Sequence, residues 1–393
     1  MTAKRDVGSA PVRGRRVLVR VDFNVPQDAN GQVADDRRIV EAMPTLNHLR
    51  ASGARTILLT HLGRPGGHPD PRFSLRPVVH RFSAILGQPV PLAEDIIGYK
   101  ALEMSARLEN GQFLMLENLR FHPGEEANDP GFASQLAHLG EVFVEDAFGT
   151  VHRAHASTVG VPRRLPSFAG FLVEREVREL SRLIDEPERP YHVVLGGAKV
   201  ADKLPLLSSF LGRADAVLIG GALAFPFLAA QGNRLGATKV EAGLEKAVDE
   251  FLSAAEGAGT EVLLPEDLVV ERSGSAGVET AGIDHVPADG IAQDIGPATR
   301  ARFAGRLAES HTVFWNGPLG RAEDTRFAEG TREVLARLGS VTGYHVAAGG
   351  DSARIAQDLG VTGSFQFIST GGGAALEFVQ GIELPGLAVL PDA

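Results

Sequence analysis

The chain has 393 residues, 44% of them hydrophobic and 22% charged, which are the proportions of a globular protein long enough for two domains. It has no cysteine, which excludes disulfides, thiolate metal sites and thiol nucleophiles, and its formal charge of -10 disfavours nonspecific nucleic-acid binding. The opening MTAKRDVGSA lacks the apolar core of a signal peptide, and the longest uncharged apolar run, 216–230, is broken by Gly220, Gly221 and Pro226. A bilayer span takes about 20 apolar residues, so no membrane contact and a cytoplasmic location are expected.

In chain order, the first half alternates short apolar runs with helical patterns. Strands are expected over 17–21, 56–59, 113–116 and 141–145, with helices over 38–52, 75–86, 99–109 and 132–139. Runs rich in Val, Ile and Leu separated by helices argue for parallel strands buried on both faces. Each run ends in chemistry. Asp22-Phe23-Asn24 follows the first, with groups that can hold hydroxyls, and Arg38 opens the next helix. His61-Leu62-Gly63-Arg64 follows the second, Arg120 the third, and His152-Arg153-Ala154-His155 the fourth. Arginine forks match phosphate and carboxylate oxygens, so cations from several strand ends meeting on one rim point to an anionic substrate that partners them. His152 and His155 are not read as metal ligands, because the chain has no HExxH and a phosphate-bound cation prefers carboxylates.

An amphipathic helix over 170–184, followed by the breaker DEPERP, is the expected connector between domains. The strand rhythm then returns at 191–195, 216–219, 261–264, 312–315, 345–347 and 367–368. The fold class read from this is α/β, two doubly wound parallel-sheet (Rossmann-like) domains joined by a hinge helix, with ligands beyond the carboxyl ends of the strands.

The second half carries its glycines at those ends. After 191–195 comes Gly196-Gly197-Ala198-Lys199-Val200-Ala201-Asp202-Lys203, and only six lysines exist in the chain. If both lysines lie in the first helical turns, their spacing puts two ammonium groups on one face beside the positive helix end, a phosphate site. Gly220-Gly221-Ala222 suits a base or ribose lying flat against backbone, and Asn316-Gly317-Pro318 precedes Glu323, placed to accept from ribose hydroxyls. Asp351, after Gly349 and Gly350 and before Ser352, can hold magnesium on a polyphosphate. Gly371-Gly372-Gly373 enters a helix as a run of N–H donors. Nucleotide binding follows, but there is no Gly-Lys dipeptide for a Walker A loop and no Gly-x-Gly-x-x-Gly, which weakens a nicotinamide-dependent oxidoreductase. A non-catalytic binding protein on the same scaffold is the other alternative, and it predicts loss of a lysine, Arg38 or Asp351.

The ordered set RVDFNVP, RIVEAMPTL, HLGRP, LENLRF, EDAFGTVHRAHAST, LGGAKVADK, WNGP, GGDS and STGGGAALE resembles the phosphoglycerate kinase family over nearly the whole chain. The resemblance implies reversible, magnesium-dependent phosphoryl transfer between 1,3-bisphosphoglycerate and ADP, giving 3-phosphoglycerate and ATP. It implies a monomer, an acid-binding domain over 1–170 joined by a returning segment 376–393, and a nucleotide domain over 171–375. Substrate contacts fall on Asp22, Phe23, Asn24, Arg38, His61, Leu62, Gly63, Arg64, Arg120, His152 and Arg153. Nucleotide contacts fall on Gly197, Lys199, Lys203, Gly220, Gly221, Asn316, Pro318, Glu323, Gly349, Gly350, Asp351 and Ser352, with Asp351 also the metal ligand. Arg38, Lys203, Gly371, Gly372 and Gly373 surround the phosphoryl group in flight. Ala222, Pro226, Arg321, Ala322, Ala348 and Ser352 depart from the family pattern, which leaves the choice between ATP and GTP open.

Overall fold

The computed structural model describes residues 3–272 and 277–393. Two units emerge, one running to Glu179 and taking in Glu383–Ala393, the other Leu180–Ile382. In the first, β1 (Arg16–Val21), β2 (Arg55–Leu59), β3 (Phe113–Met115), β4 (Val142–Asp146) and β5 (Ser167–Ala169) form one parallel sheet in the order β3-β2-β1-β4-β5. Successive residues of a strand face opposite sides, so Val17, Val19 and Val21 join a core with α1 (Arg37–Ala51) and α2 (Arg76–Leu86), whereas Leu18 joins Leu59 and Phe143 on the other face. That second face is covered by α3 (Tyr99–Arg107) and α4 (Pro130–His138). Because β1 lies between β2 and β4, the chain changes direction across the sheet there, which makes the carboxyl ends of β1 and β4 its topological switch point.

Helix α5 (Phe171–Ser181) is shorter than the expected 170–184. It buries Leu172, Val173, Val177 and Leu180 and leaves Arg178 to pair with Glu174 at 2.7 Å. The boundary between units falls inside it, after Glu179.

The second unit has a six-stranded parallel sheet in the order β14-β13-β12-β6-β7-β8, built from β6 (Tyr191–Leu195), β7 (Ala216–Ile219), β8 (Glu261–Leu263), β12 (Thr312–Asn316), β13 (Tyr344–Ala347) and β14 (Phe367–Ile368). Its switch point lies between β6 and β12. Beside it stands an antiparallel sheet, β10-β9-β11, of β9 (Asp267–Arg272), β10 (Val278–Gly282) and β11 (Gly290–Ile295), which the expected strands did not include. Helices α6 (Val200–Ser209), α7 (Phe225–Ala230), α8 (Glu245–Ala258), α9 (Pro297–Leu307), α10 (Glu329–Leu338), α11 (Gly350–Asp358) and α12 (Gly373–Val379) complete the unit.

The returning segment begins at Glu383 rather than 376, because α12 buries Phe378 and Val379 within the second unit. Beyond it, α13 (Pro385–Ala388) and the terminus belong to the first unit: Gly386 N–H donates to Val151 O at 2.8 Å, and Arg5 N–H donates to Pro391 O at 3.0 Å. Among the described residues, no helix is long and apolar enough to cross a membrane.

Phe82 is fully buried between Phe23 and Phe113, with ring centroids 5.5 and 5.9 Å away. Phe82→Ala removes that ring from the first unit and is expected to destabilise it by about 3–5 kcal/mol. Urea unfolding followed by circular dichroism checks this, since the single tryptophan, Trp315, lies in the second unit and does not report on the first.

Candidate active site

In the first unit the expected residues gather where the strands end. Asp22 leaves β1 and takes Arg38 from the start of α1 in an ion pair of 2.5 Å. Asn24 Oδ1 accepts from Gly63 N–H at 2.9 Å, and Gly63 O accepts from Arg120 Nη1 at 2.7 Å, so three strand ends are tied together through one glycine. Arg120 also pairs with Glu126 at 3.0 Å, and Arg153 Nε donates to His152 Nε2 at 3.2 Å. Arg64 is exposed and makes no ion pair with a described residue. Arg120 and Arg153 both act on His155, which is held down to about 4 by burial and then by Arg120, Arg20 and Arg153. The sequence pointed to an anionic substrate as the partner of these cations, and Arg38 and Arg120 each already have a carboxylate of the protein as well.

A buried layer lies beneath this rim. Arg20, on β1 and 1% exposed, donates through Nε to Ser157 Oγ at 3.0 Å and lies 3.0 Å through Nη2 from His61 Nδ1. Ser157 in turn donates to Glu125, from Oγ at 2.5 Å and from its backbone N–H at 3.0 Å. Glu145 on β4 is the register neighbour of Arg20 and spends one oxygen on Ala147 N–H at 3.0 Å. Burial pushes the carboxyls of Glu125, Glu145 and Asp146 up, while Arg20 opposes the shift at the two glutamates. Burial also drives His61, 4% exposed, well below the ordinary imidazole value, reinforced by Arg20, Arg120 and Arg38. His61 is therefore neutral and adds no charge to the rim. Phe23 and Leu62 have buried side chains, and Phe23 N–H is taken by Thr60 Oγ1 at 3.0 Å, so these two support the rim from behind.

In the second unit the two lysines part company. Helix α6 begins at Val200, leaving Lys199 outside it, exposed, in the left-handed region with φ 61°. Lys203 turns back and donates to Gly196 O at 2.5 Å and to Asn316 Oδ1 at 2.8 Å, which places its ammonium at the β6/β12 switch point. Burial lowers it to about 8, and the charge of Asp351 works against that shift.

Asn316 spends its other end on Ala348 O at 2.7 Å, and Ser352 Oγ, buried, accepts from Gly317 N–H at 2.9 Å. Both side chains thus brace the loops, where the sequence suggested direct contacts. Pro318 O accepts from Gly197 N–H at 2.7 Å, with Gly220 and Gly221 packed beside Leu319 and Pro318. The packing is tight enough to require glycine at two positions of positive φ. A Cβ on Gly349 would stand 2.5 Å from Asn316 Nδ2, and one on Gly317 2.5 Å from Gly196 O. Asp351 is exposed in the first turn of α11, after Gly350, and Glu323 is exposed in the loop after β12. Arg321, a departure from the family pattern, is held by Asp324 at 2.6 Å and by the Phe327 ring at 4.8 Å. Gly371 N–H donates to Ser369 Oγ at 3.1 Å, which leaves the amides of Gly372 and Gly373 as the donors of that run.

Sequence reasoning missed Arg20, Glu125 and Ser157. Arg20 sits in a strand whose other buried residues, Val17, Leu18, Val19 and Val21, are apolar, and a charge at that position was its only signal.

A family model described as phosphoglycerate kinase matches residues 7–382. Phosphoglycerate kinase of Pelotomaculum thermopropionicum is 46% identical over 392 residues, 99% of this chain and 100% of that one. The Thermus thermophilus enzyme is 50% identical over 385 residues, 96% of this chain and 97% of its own. Among solved structures, phosphoglycerate kinase from Coxiella burnetii matches with a TM-score of 0.90 at 36% identity, and that from Pyrococcus horikoshii with 0.85 at 32%, each covering 98% of both chains. With matches that run from end to end in both sequence and fold, the chain belongs to the phosphoglycerate kinase family.

Proposed function

We propose a division of labour for the reaction that family membership assigns to this chain, the reversible transfer of a phosphoryl group between 1,3-bisphosphoglycerate and ADP in glycolysis. The three-carbon acid binds the first unit and the nucleotide the second. Arg38, Arg64, Arg120, His152 and Arg153 receive the acid's phosphate and carboxylate, with Asp22 and Asn24 near its hydroxyl. Lys199, Lys203 and the backbone of Gly197, Gly220, Gly221, Pro318, Gly349 and Gly350 receive the nucleotide, with Glu323 toward the ribose. The placement of Lys203 carries this reading, since a half-buried ammonium stands at the switch point with, among the described residues, only neutral oxygens as hydrogen-bond partners.

Phosphoryl transfer passes through a loose, in-line transition state, so positioning and charge stabilisation suffice and no protein nucleophile is needed. Arg38, Lys203 and the amides of Gly372 and Gly373 are the donors for the equatorial oxygens. Magnesium arriving with the nucleotide would neutralise phosphate charge. The residues fit such a cation: among the described residues no cluster of three or more His, Asp or Glu could hold a metal alone, and the exposed Asp351 is a single carboxylate of the kind that shares Mg2+ with phosphates and water. Cytoplasmic residence as a monomer belongs to the same reading.

Lys203→Ala and Arg38→Ala are each expected to lower kcat by about 10²–10³-fold, measured in a coupled assay with 3-phosphoglycerate, ATP and magnesium. Turnover near the parent value in either variant refutes the role. Lys203 must be an ammonium to meet phosphate, and its folded value is depressed to about 8, so the competent form is lost as pH rises through that value. kcat/KM for ATP should fall accordingly, whereas kcat should hold to higher pH because bound phosphate raises the ammonium's pKa. Transfer also requires donor and acceptor to touch. Small-angle scattering is therefore expected to show compaction with both ligands present and none with either alone.

A further inference from the structure

We propose that Arg20 is a positioning residue for this reaction, which from inside the sheet fixes the tautomer of His61 so that the ring offers an N–H, and no lone pair, to the anionic acid. The inference rests on the proposed binding of the acid at the first unit's rim and adds a residue that never touches the substrate.

A guanidinium has five donors and no acceptor, and it keeps its charge. Its Nη2 is 3.0 Å from His61 Nδ1, so that nitrogen must be the acceptor. A neutral imidazole with Nδ1 as acceptor carries its proton on Nε2. Burial is the main force that keeps the second proton off the ring, and Arg20, Arg120, Arg38 and His155, cationic or neutral, act in the same direction. Among the described residues, Nδ1 alone has a hydrogen-bond partner, which leaves Nε2–H for the rim.

Arg20 cannot turn away from this duty. Its Nε is committed to Ser157 Oγ, Nη1 donates to Val21 O, and Ser157 is held from both its hydroxyl and its amide by Glu125. The chain Glu125, Ser157, Arg20, His61 runs through buried side chains. Without Arg20 the ring could place its proton on Nδ1 and turn a lone pair on Nε2 toward phosphate or carboxylate, replacing attraction with repulsion.

The test uses the full chain labelled with ¹⁵N-histidine and no ligand. Two-bond ¹H–¹⁵N correlation, with the His61 signals assigned by their loss in His61→Gln, is expected to show Nδ1 unprotonated and Nε2 protonated both at pH 7 and at pH 5.5. A protonated Nδ1, or a cationic ring at the lower pH, overturns the proposal. In kinetics, loss of one hydrogen bond to a charged group should raise the KM for 3-phosphoglycerate by about tenfold in Arg20→Met, with kcat changed by less than about threefold. Arg20→Lys, which keeps a donor, should recover both the tautomer and most of the KM.

Should Arg20→Met fail to fold, His61 itself supplies the second comparison. A glutamine amide can put an N–H near the place of Nε2 and an asparagine amide cannot, so His61→Gln should hold KM within about threefold where His61→Asn raises it about tenfold. Equal effects of the two overturn the donor role. The expected tautomer with an unmoved KM in every variant defeats the placement of the acid at His61, and the proposal with it. A wrong tautomer with raised KM defeats the proposal alone.

Discussion

A parallel sheet brings all of its strand carboxyl ends to one edge, and the chemistry of this chain depends on that constraint. The loops leaving β1, β2 and β4 in the first unit, and β6, β12 and β13 in the second, must share a rim because their strands are neighbours. Gly63 shows how close the sharing is: it donates to Asn24 from one neighbouring strand end and accepts from Arg120 of another. The second unit repeats the arrangement with Gly196, Asn316 and Ala348, whose carbonyls and amide are joined through Lys203 and one asparagine side chain. In both units the loops of adjacent strands are cross-linked by hydrogen bonds, so cations that would repel one another are held at fixed spacing before any anion arrives.

Holding that much positive charge on one edge needs compensation from below. Arg20 lies inside the first sheet, where an unpaired guanidinium would be severely penalised. Glu145 lies beside it in the next strand and Glu125 behind Ser157, and in both glutamates burial raises the carboxyl while the pull of Arg20 works against that effect. The rim proper is treated differently. Arg120 keeps a carboxylate partner near solvent, Glu126, that an incoming anion can replace without leaving that carboxylate buried and bare, whereas Arg38, itself half-buried, pairs with the buried Asp22.

This layering explains what the sequence could and could not tell. Strands such as 191–195 and 216–219 were readable to the residue, because strands buried on both faces are written as near-continuous apolar runs, interrupted here only by His192. Strand β5 follows Pro166 and has three residues, too few to show a pattern, and β10 is largely exposed. Candidate site residues were legible wherever glycine, arginine or aspartate stood after a strand. What that signal could not separate is a side chain that faces the ligand from one that faces its neighbours. Asn316 and Ser352 carry the right chemistry at the right place, yet spend it on Lys203, Ala348 and Gly317. Arg20 was hidden for the opposite reason, since its partners lie 137 and 41 positions away and only the folded sheet brings them together.

The two lysines mark the difference between a charge that is available and one that is prepared. Lys199, exposed in a left-handed turn, keeps its water and its freedom, and a phosphate that meets it must displace the first and restrict the second. Lys203 has surrendered most of both during folding, and its depressed pKa measures how poorly Gly196 O and Asn316 Oδ1 replace full hydration. A phosphoryl oxygen reaching that ammonium supplies the negative charge the site lacks, so the desolvation cost incurred on folding is not charged again on binding. Pre-organised electrostatics of this kind act most strongly where charge develops, and that is on the phosphoryl group in flight.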